Sequence, residues 1–360
     1  MFKFNDLKQI HLEISNNCQA SCPMCSRNVN GGGDNPLLKV NDWTLEQYKA
    51  IMTPKVLKQI SSCYFCGTFG DPMMNNDLID ICRYSVEVNP NLQIHIHTNG
   101  GARPTKWWEE LARELPKNHL VIFGIDGLED THHIYRIGTK FENVIRNAKA
   151  FIDAGGSAEW AFIKFKHNEH QLEQARDLAK EIGFKTFNIK NSSRFILEPK
   201  VKAVDRQGNI MHYIEPSTDT PLKFIDKKAI NNYQKITDDA IIECKVLETK
   251  EVYIDAHGDF FACCWLANTP YTHIPNDAVS EVRGKMLEQH NRMTTLLGET
   301  SVLKRSIEDI IDSDAFQTMW QDMWHGPNKS IVCARSCGRH PEVEISKCTD
   351  QFLETVQLND

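Results

Sequence analysis

The sequence has no apolar run of about 18 residues, the length that a membrane-spanning helix requires, so no such helix is expected. It also lacks a basic excess: 41 Lys and Arg stand against 48 Asp and Glu, a net charge of −7. General nucleic-acid binding is therefore not expected, because such proteins carry cations to displace phosphate counterions. The start, Met1-Phe2-Lys3-Phe4-Asn5-Asp6, lacks the charged region and apolar run of a secretory signal, and the expectation is a cytoplasmic protein that begins here. No internal repeat or low-complexity tract is present. With 41% hydrophobic and 9% aromatic residues the composition is globular, which excludes disordered, collagenous and coiled-coil chains. A length of 360 residues corresponds to about two domains.

What the sequence does have is 12 cysteines. A chain of this size, read as cytoplasmic, has neither the compartment nor the need for a disulfide framework, so metal or redox chemistry is the leading explanation. Cys18, Cys22, Cys25, Cys63, Cys66 and Cys82 lie near one end, and Cys244, Cys263, Cys264, Cys333, Cys337 and Cys348 near the other. Two separate thiolate centres are expected. The first follows a short strand, His11-Leu12-Glu13-Ile14-Ser15, in a loop with C-x3-C-x2-C spacing at Cys18, Cys22 and Cys25. Three soft ligands that close together can converge on one centre. Structural zinc takes four, whereas a four-iron cluster held by three keeps one iron open. A zinc loop borrowing a distant fourth ligand is the alternative.

Strand-like runs at 59–65, 92–97, 120–125, 160–165 and 186–189 alternate with amphipathic stretches around Trp107–Leu115, Val144–Ile152 and Leu172–Ile182, which is the pattern of βαβ units on a parallel sheet. Counting the first strand gives six units, a partial (β/α)6 barrel rather than a closed ring of eight, with reactive groups expected at the carboxyl ends of the strands. Asn168 and Gln171 are spaced to cap the third of those helices. His95, His97 and Asn99 share one face of their strand, as lining or as hydrogen-bonded strand-end residues.

From 196 to 240 the pattern changes to a hairpin around Asp205-Arg206-Gln207-Gly208 and a polar linker through Pro216 to Pro221. The expected division is a barrel over 1–195, the linker over 196–240, a small α+β domain over 241–350 and a tail over 351–360. In the α+β part, Val252 to Cys264 reads as two short strands about His257-Gly258-Asp259, bringing Cys244 near Cys263. Cys333 and Cys337 can complete a four-thiolate site, with Cys348 in reserve; zinc and an iron–sulfur cluster both suit such a set. Residues 277–325 read as helical, with Trp320 and Trp324 as packing residues. Cys63 and Cys66 point to opposite faces of a strand and make poor co-ligands. Cys82 reads as core.

The C-x3-C-x2-C loop after a first strand resembles the radical SAM superfamily. Three further stretches carry the same resemblance in order: Gly70-Asp71-Pro72 is similar to its second-strand motif, with Asp71 where Glu is commoner; Thr98-Asn99-Gly100 is similar to the third-strand ending; and Ile125-Asp126-Gly127 with Thr131-His132 and Arg136-Ile137-Gly138 is similar to the fourth-strand stretch of peptide-maturing members. The resemblance implies a [4Fe-4S] cluster on Cys18, Cys22 and Cys25. Its open iron would bind S-adenosylmethionine, with Gly70, Asp71, Pro72, Asn99, Asp126 and Arg194 at the cofactor. Cleavage would give a 5′-deoxyadenosyl radical that removes a hydrogen atom from an unactivated C–H bond.

The spacing of Cys244, Gly258 and Cys263, with Cys333 and Cys337 later, resembles the SPASM/twitch auxiliary-cluster domain in its shorter, one-cluster form and implies a second [4Fe-4S] cluster. A peptide or protein substrate, oxidised, cross-linked or epimerised, is what the resemblance implies first. A small-molecule dehydrogenase and a non-catalytic electron carrier are the alternatives. The expected partner is a flavodoxin- or ferredoxin-type electron donor, and Cys264 or Cys348 is the candidate hydrogen donor for an epimerisation.

Overall fold

The computed structural model describes residues 1–192, 194–195, 200–219, 237–272, 280–339 and 352–358. Six strands follow one another in the order of the chain: β1 (Gln9–Leu12), β2 (Ser62–Phe65), β3 (Gln93–Thr98), β4 (Leu120–Gly124), β5 (Ala158–Lys164) and β6 (Thr186–Asn191). Each lies parallel to the next, and every crossover carries helix. The sheet does not close on itself, so the expected partial barrel is what forms.

The helices follow from their apolar stripes. α1 (Leu45–Ile51), α2 (Pro54–Gln59) and α3 (Leu78–Val88) flank the first strands, and α4 (Thr105–Glu114) buries Trp108, Leu111 and Ala112. After the short α5 (His132–Tyr135), α6 (Phe141–Asp153) buries Val144, Ala148 and Phe151. α7 (Leu172–Ile182) ends at Gly183, whose φ of 100° is the left-handed stop that glycine adopts without strain. Its start differs from the expectation. Asn168 does not cap it: Asn168 Oδ1 accepts from Phe165 N at 2.7 Å and Nδ2 donates to Ile163 O at 3.0 Å, closing the end of β5 instead. The buried strand end has orphan backbone groups of its own, and they take the side chain first.

On the outer side of the sheet the core is aromatic. Trp108, Phe123 and Phe151 pack together, and Trp160 packs on Phe184 and Phe187. β3 shows the division between its two faces: Ile94 and Ile96 are in this core, while His95 and His97 are half-buried on the concave side.

Three features go beyond the sequence pattern. A hairpin of β7 (Val201–Val204) and β8 (Ile210–Ile214) forms at the expected turn, and residues 220–236 of the linker lie outside the described residues. β9 (Ile241–Ile242) precedes β10 (Glu251–Ile254) and β11 (Phe260–Phe261), the expected hairpin, but β10 also pairs in parallel with β1 from Gln9↔Glu251 to Leu12↔Ile254. Val252, Tyr253 and Ile254 are all buried, as in a strand covered on both faces. β12 (Gly338–Arg339) pairs with β9, and β13 (Phe352–Gln357) pairs antiparallel with β6. The expected tail is thus a strand, because the edge of β6 offers a row of unpaired backbone groups. The full sheet runs β11-β10-β1-β2-β3-β4-β5-β6-β13. Helices Ser280–Leu297, Ile307–Ile311 and Asp314–Trp324 fill the expected helical stretch, and Trp320 packs on Trp324 at 5.2 Å. Among the described residues no helix is long and apolar enough to cross a membrane.

Trp160 is fully buried and donates Nε1–H to Ile125 O at 2.8 Å. Trp160→Ala should lower the unfolding free energy by about 3–5 kcal/mol, read from denaturant unfolding monitored by circular dichroism.

Candidate functional site

Every segment singled out at the amino half of the sequence meets at the carboxyl ends of β1 to β5. The loop after β1 is pinned by Ser21 N donating to Ile137 O at 2.8 Å and by a turn from Cys25 N to Cys22 O at 3.0 Å. Cys22 is buried, and Cys18 and Cys25 are half-buried. Burial first, then the Asp71 carboxylate and the neighbouring thiols of Cys22 and Cys25, push the Cys18 thiol well above its ordinary value, while the Ala20 amide works the other way. Burial pushes Cys22 up to about 11 against the opposing pull of Arg136. Thiols raised in this way, those of Cys18 and Cys22, ionise together only if cationic charge is added beside them, which is what an iron–sulfur cluster brings. Among the described residues no three His, Cys, Asp or Glu side chains close on a point that suits one metal ion. A four-iron cluster asks for something else, with each thiolate on its own iron.

Asp71 follows β2 and is 4% exposed. It accepts from Asn99 N at 2.7 Å, Asn99 Nδ2 at 2.6 Å, Met73 N at 3.0 Å and Thr98 Oγ1 at 3.0 Å. Its side chain therefore locks the second motif to the third and is already satisfied by protein. Asn99 continues the chain of contacts: Nδ2 lies 3.5 Å from Cys18 Sγ, and Oδ1 accepts from Gln19 Nε2 at 2.6 Å. Thr98 and Asn99 both reach Asp71, so the strict alternation expected along this strand stops at its end. Pro72 opens a short 3-10 turn, Pro72–Met74. Gly70 has no room for a side chain, since a Cβ there would lie 2.1 Å from Ser15 O.

Asp126 is fully buried, accepting from Arg136 Nε at 2.6 Å and from Ile163 N at 2.6 Å. Arg136 Nη1 is 4.0 Å from Cys22 Sγ. Burial opposes the guanidinium charge, but Asp126 and Cys22 outweigh it and keep Arg136 firmly cationic. Gly124 makes the space, because a Cβ there would meet Arg136 Nη2 at 2.5 Å. Arg194 is exposed, and its guanidinium donates to Met24 O within the cysteine loop.

The later cysteines form a second set. Helix Ile331–Cys337 places Cys333 and Cys337 one turn apart, and the β9–β12 pair brings Cys244 alongside, with Glu243 N donating to Cys337 O at 2.9 Å. Cys263 directly precedes the helix Cys264–Ala267. The hydrogen bond with Cys337 and then burial raise the Cys244 thiol, and Cys333 and Cys263 add to it. Burial, then Cys264, Cys333 and Cys337, raise Cys263. All four expected cysteines are therefore mutual neighbours, and Cys348 lies outside the described residues. Cys264, beside Cys263, also lies close to Cys66 and Glu251, and burial pushes it up to about 12. Cys63 and Cys82 are core residues with no exposure.

Several residues of the mouth carry no motif. Glu13, Tyr253 and Asp255 are buried where the ends of β1 and β10 meet. On the concave wall the His11 ring packs tilted against Tyr64 at 4.6 Å and edge-on to Tyr253 at 4.7 Å, and Tyr64 packs edge-on to His97 at 5.2 Å. A histidine and a glutamate alternating in an otherwise apolar strand, His11 and Glu13, were the signal available in the sequence.

Two predictions follow from the buried charges. Arg136→Met strands Asp126 without its cation and should destabilise the protein by about 3–5 kcal/mol in denaturant unfolding. Burial, with Asp259 and Glu13 adding to it, raises Asp255 from 3.8 to about 7. The folded state thus holds that proton more tightly, so the stabilisation is complete below pH 3.8, falls as pH rises and levels off above about 7. Asp255→Asn should remove that fall, so its melting temperature should exceed the native value more at pH 8 than at pH 5.

Residues 12–182 match the family model described as "Radical SAM superfamily". No curated protein matches the chain in sequence. Among solved structures, SuiB of Streptococcus suis superposes with a TM-score of 0.54 at 12% identity, covering 88% of this chain and 68% of that one. SuiB bound to the precursor peptide SuiA gives 0.52 at 14% identity over 87% of this chain and 66% of that one. Native anSMEcpe with bound AdoMet gives 0.53 at 13% identity, over 91% and 89%. At these identities the structures speak for the fold, and the family match speaks for the amino half. With its cysteine loop at the mouth of a partial barrel, the chain carries a radical SAM domain over residues 12–182.

Proposed function

We propose that the protein is a cytoplasmic radical SAM enzyme that modifies a peptide or protein substrate, with a second iron–sulfur cluster in its C-terminal part. The observation that carries this reading is the gathering of Cys244, Cys263, Cys333 and Cys337 into one set at the side of the barrel. A likeness in fold to SuiB, whose structure with a precursor peptide is known, supports the peptide assignment.

Cys18, Cys22 and Cys25 would hold the first [4Fe-4S] cluster, and Cys244, Cys263, Cys333 and Cys337 the second. With S-adenosylmethionine, the first would supply a 5′-deoxyadenosyl radical for hydrogen abstraction, and electrons would come from a flavodoxin- or ferredoxin-type donor. The residues around them orient and tune. Asn99 and Arg136 direct N–H groups toward the sulfurs of Cys18 and Cys22, which favours the thiolate form. Asp71 fixes the Gly70-Asp71-Pro72 turn against Asn99, leaving the backbone of that turn to receive the cofactor's amino group. Asp126 acts through Arg136 rather than by reaching the cofactor itself. Arg194 braces the cysteine loop at Met24. Burial keeps the Cys264 thiol protonated at neutral pH, as a hydrogen-atom donor in an epimerisation would need.

A second reading, dehydrogenation of a small polar molecule, is favoured by the concave wall, where His11, Tyr64, His97 and Glu159 present polar groups instead of an apolar surface.

Anaerobic reconstitution should give roughly eight irons per chain. Joint replacement of Cys18, Cys22 and Cys25 by Ala should halve that and abolish 5′-deoxyadenosine formation with dithionite and S-adenosylmethionine. Joint replacement of the other four should also halve the iron; full iron there would refute the second cluster. Deuterium carried into 5′-deoxyadenosine from labelled peptides supports the first reading, and deuterium from labelled polyols alone supports the second.

A further inference from the structure

Glu13 follows β1 at the mouth and is 1% exposed. Oε1 accepts from the backbone amides of Phe69 at 2.7 Å and Gly70 at 2.8 Å, and Oε2 accepts from the Tyr253 hydroxyl at 2.6 Å. Tyr253 is itself fully buried and belongs to β10, the strand that the C-terminal half lays against β1. The backbone is joined at the same place, with Glu13 N donating to Ile254 O at 3.0 Å.

The two amides held by Glu13 belong to the turn already assigned to the cofactor's amino group. A trans peptide is planar with its N–H and C=O on opposite edges, so fixing the amides of Phe69 and Gly70 also fixes the directions of the carbonyls of Thr68 and Phe69. The next peptide is set by Asp71 N donating to Asn17 O at 2.8 Å, and Gly70 is wedged against Ser15 O. An ammonium group binds through carbonyl oxygens, and its affinity depends on their aim. Glu13 supplies that aim, and a buried carboxylate keeps it only while its second oxygen is also satisfied.

We propose that Glu13 and Tyr253 are positioning residues for S-adenosylmethionine: Glu13 orients the backbone acceptors of the 68–71 turn, and Tyr253 makes that orientation depend on the seating of β10. The C-terminal half thereby contributes to cofactor affinity without touching the cofactor. This rests on the assignment of the turn to the cofactor and not on the identity of the substrate.

The test is the dissociation constant for S-adenosylmethionine on cluster-loaded protein, by equilibrium dialysis under anaerobic conditions, alongside iron content, melting temperature, and KM and kcat for 5′-deoxyadenosine formation. Glu13→Ala should weaken binding by about tenfold or more, and Glu13→Gln, which keeps a carbonyl oxygen facing the two amides, should recover most of it. Tyr253→Phe should weaken binding about fivefold, raise KM with kcat little changed, and add nothing in a Glu13→Ala background. If Glu13→Ala does not load iron, Tyr253→Phe decides alone. Native affinity in iron-replete Tyr253→Phe would overturn the proposal. Loaded native protein that binds no S-adenosylmethionine would instead refute the cofactor assignment.

Discussion

A carboxylate taken out of water has to find donors for its oxygens, and the mouth of this barrel is built around that requirement. Glu13 after β1, Asp71 after β2, Asp126 after β4 and Asp255 after β10 are all buried, and each accepts at least one backbone amide. The amides come from other segments in three cases. Glu13 ties β1 to the turn after β2, Asp71 ties that turn to the end of β3, and Asp126 ties β4 to β5. The row of loops at the strand ends is thus laced together by ionisable groups that would be unstable there singly. At Asp255, Oδ1 takes the amides of His257 and Asp259, and no hydrogen bond to Oδ2 is found among the described residues.

The lacing leaves the thiols in a particular electrostatic setting. At the first set, Arg136 is the guanidinium close to Cys22, and it is shared with Asp126, so its attraction for a thiolate is partly spent. The second set is gathered by fold alone, through one helical turn between Cys333 and Cys337 and a two-stranded bridge to Cys244. Burial raises Cys18 and Cys22 in the first set and Cys263 and Cys333 in the second, and these thiols would ionise on loading a cluster.

The sheet separates the two kinds of chemistry. Its outer face is a packed aromatic and aliphatic core, while its inner face carries His11, Tyr64, His95 and His97. Because successive side chains alternate, one strand serves both, with Ile94 and Ile96 holding the helices and His95 and His97 facing the hollow.

The barrel and the first cysteine loop were legible in the sequence because their signals are local. Six strands announce themselves by short apolar runs and the helices by their stripes. The loop is compressed into Cys18 to Cys25, and the motif glycines mark points of close approach such as Gly70 against Ser15. The four later cysteines were legible as a set, but the means of their meeting was not, since the β9–β12 pair joins residues nearly a hundred positions apart and only two residues long per strand. Asn168 reads as a helix cap by spacing, yet the end of β5 claims its side chain. Nothing local marks Glu13 or Tyr253 as partners, or says that β10 lies beside β1 and β13 beside β6. Those pairings depend on which sheet edge is left unpaired once the barrel has formed, and that is settled by the tertiary structure, where backbone groups from distant segments must satisfy one another.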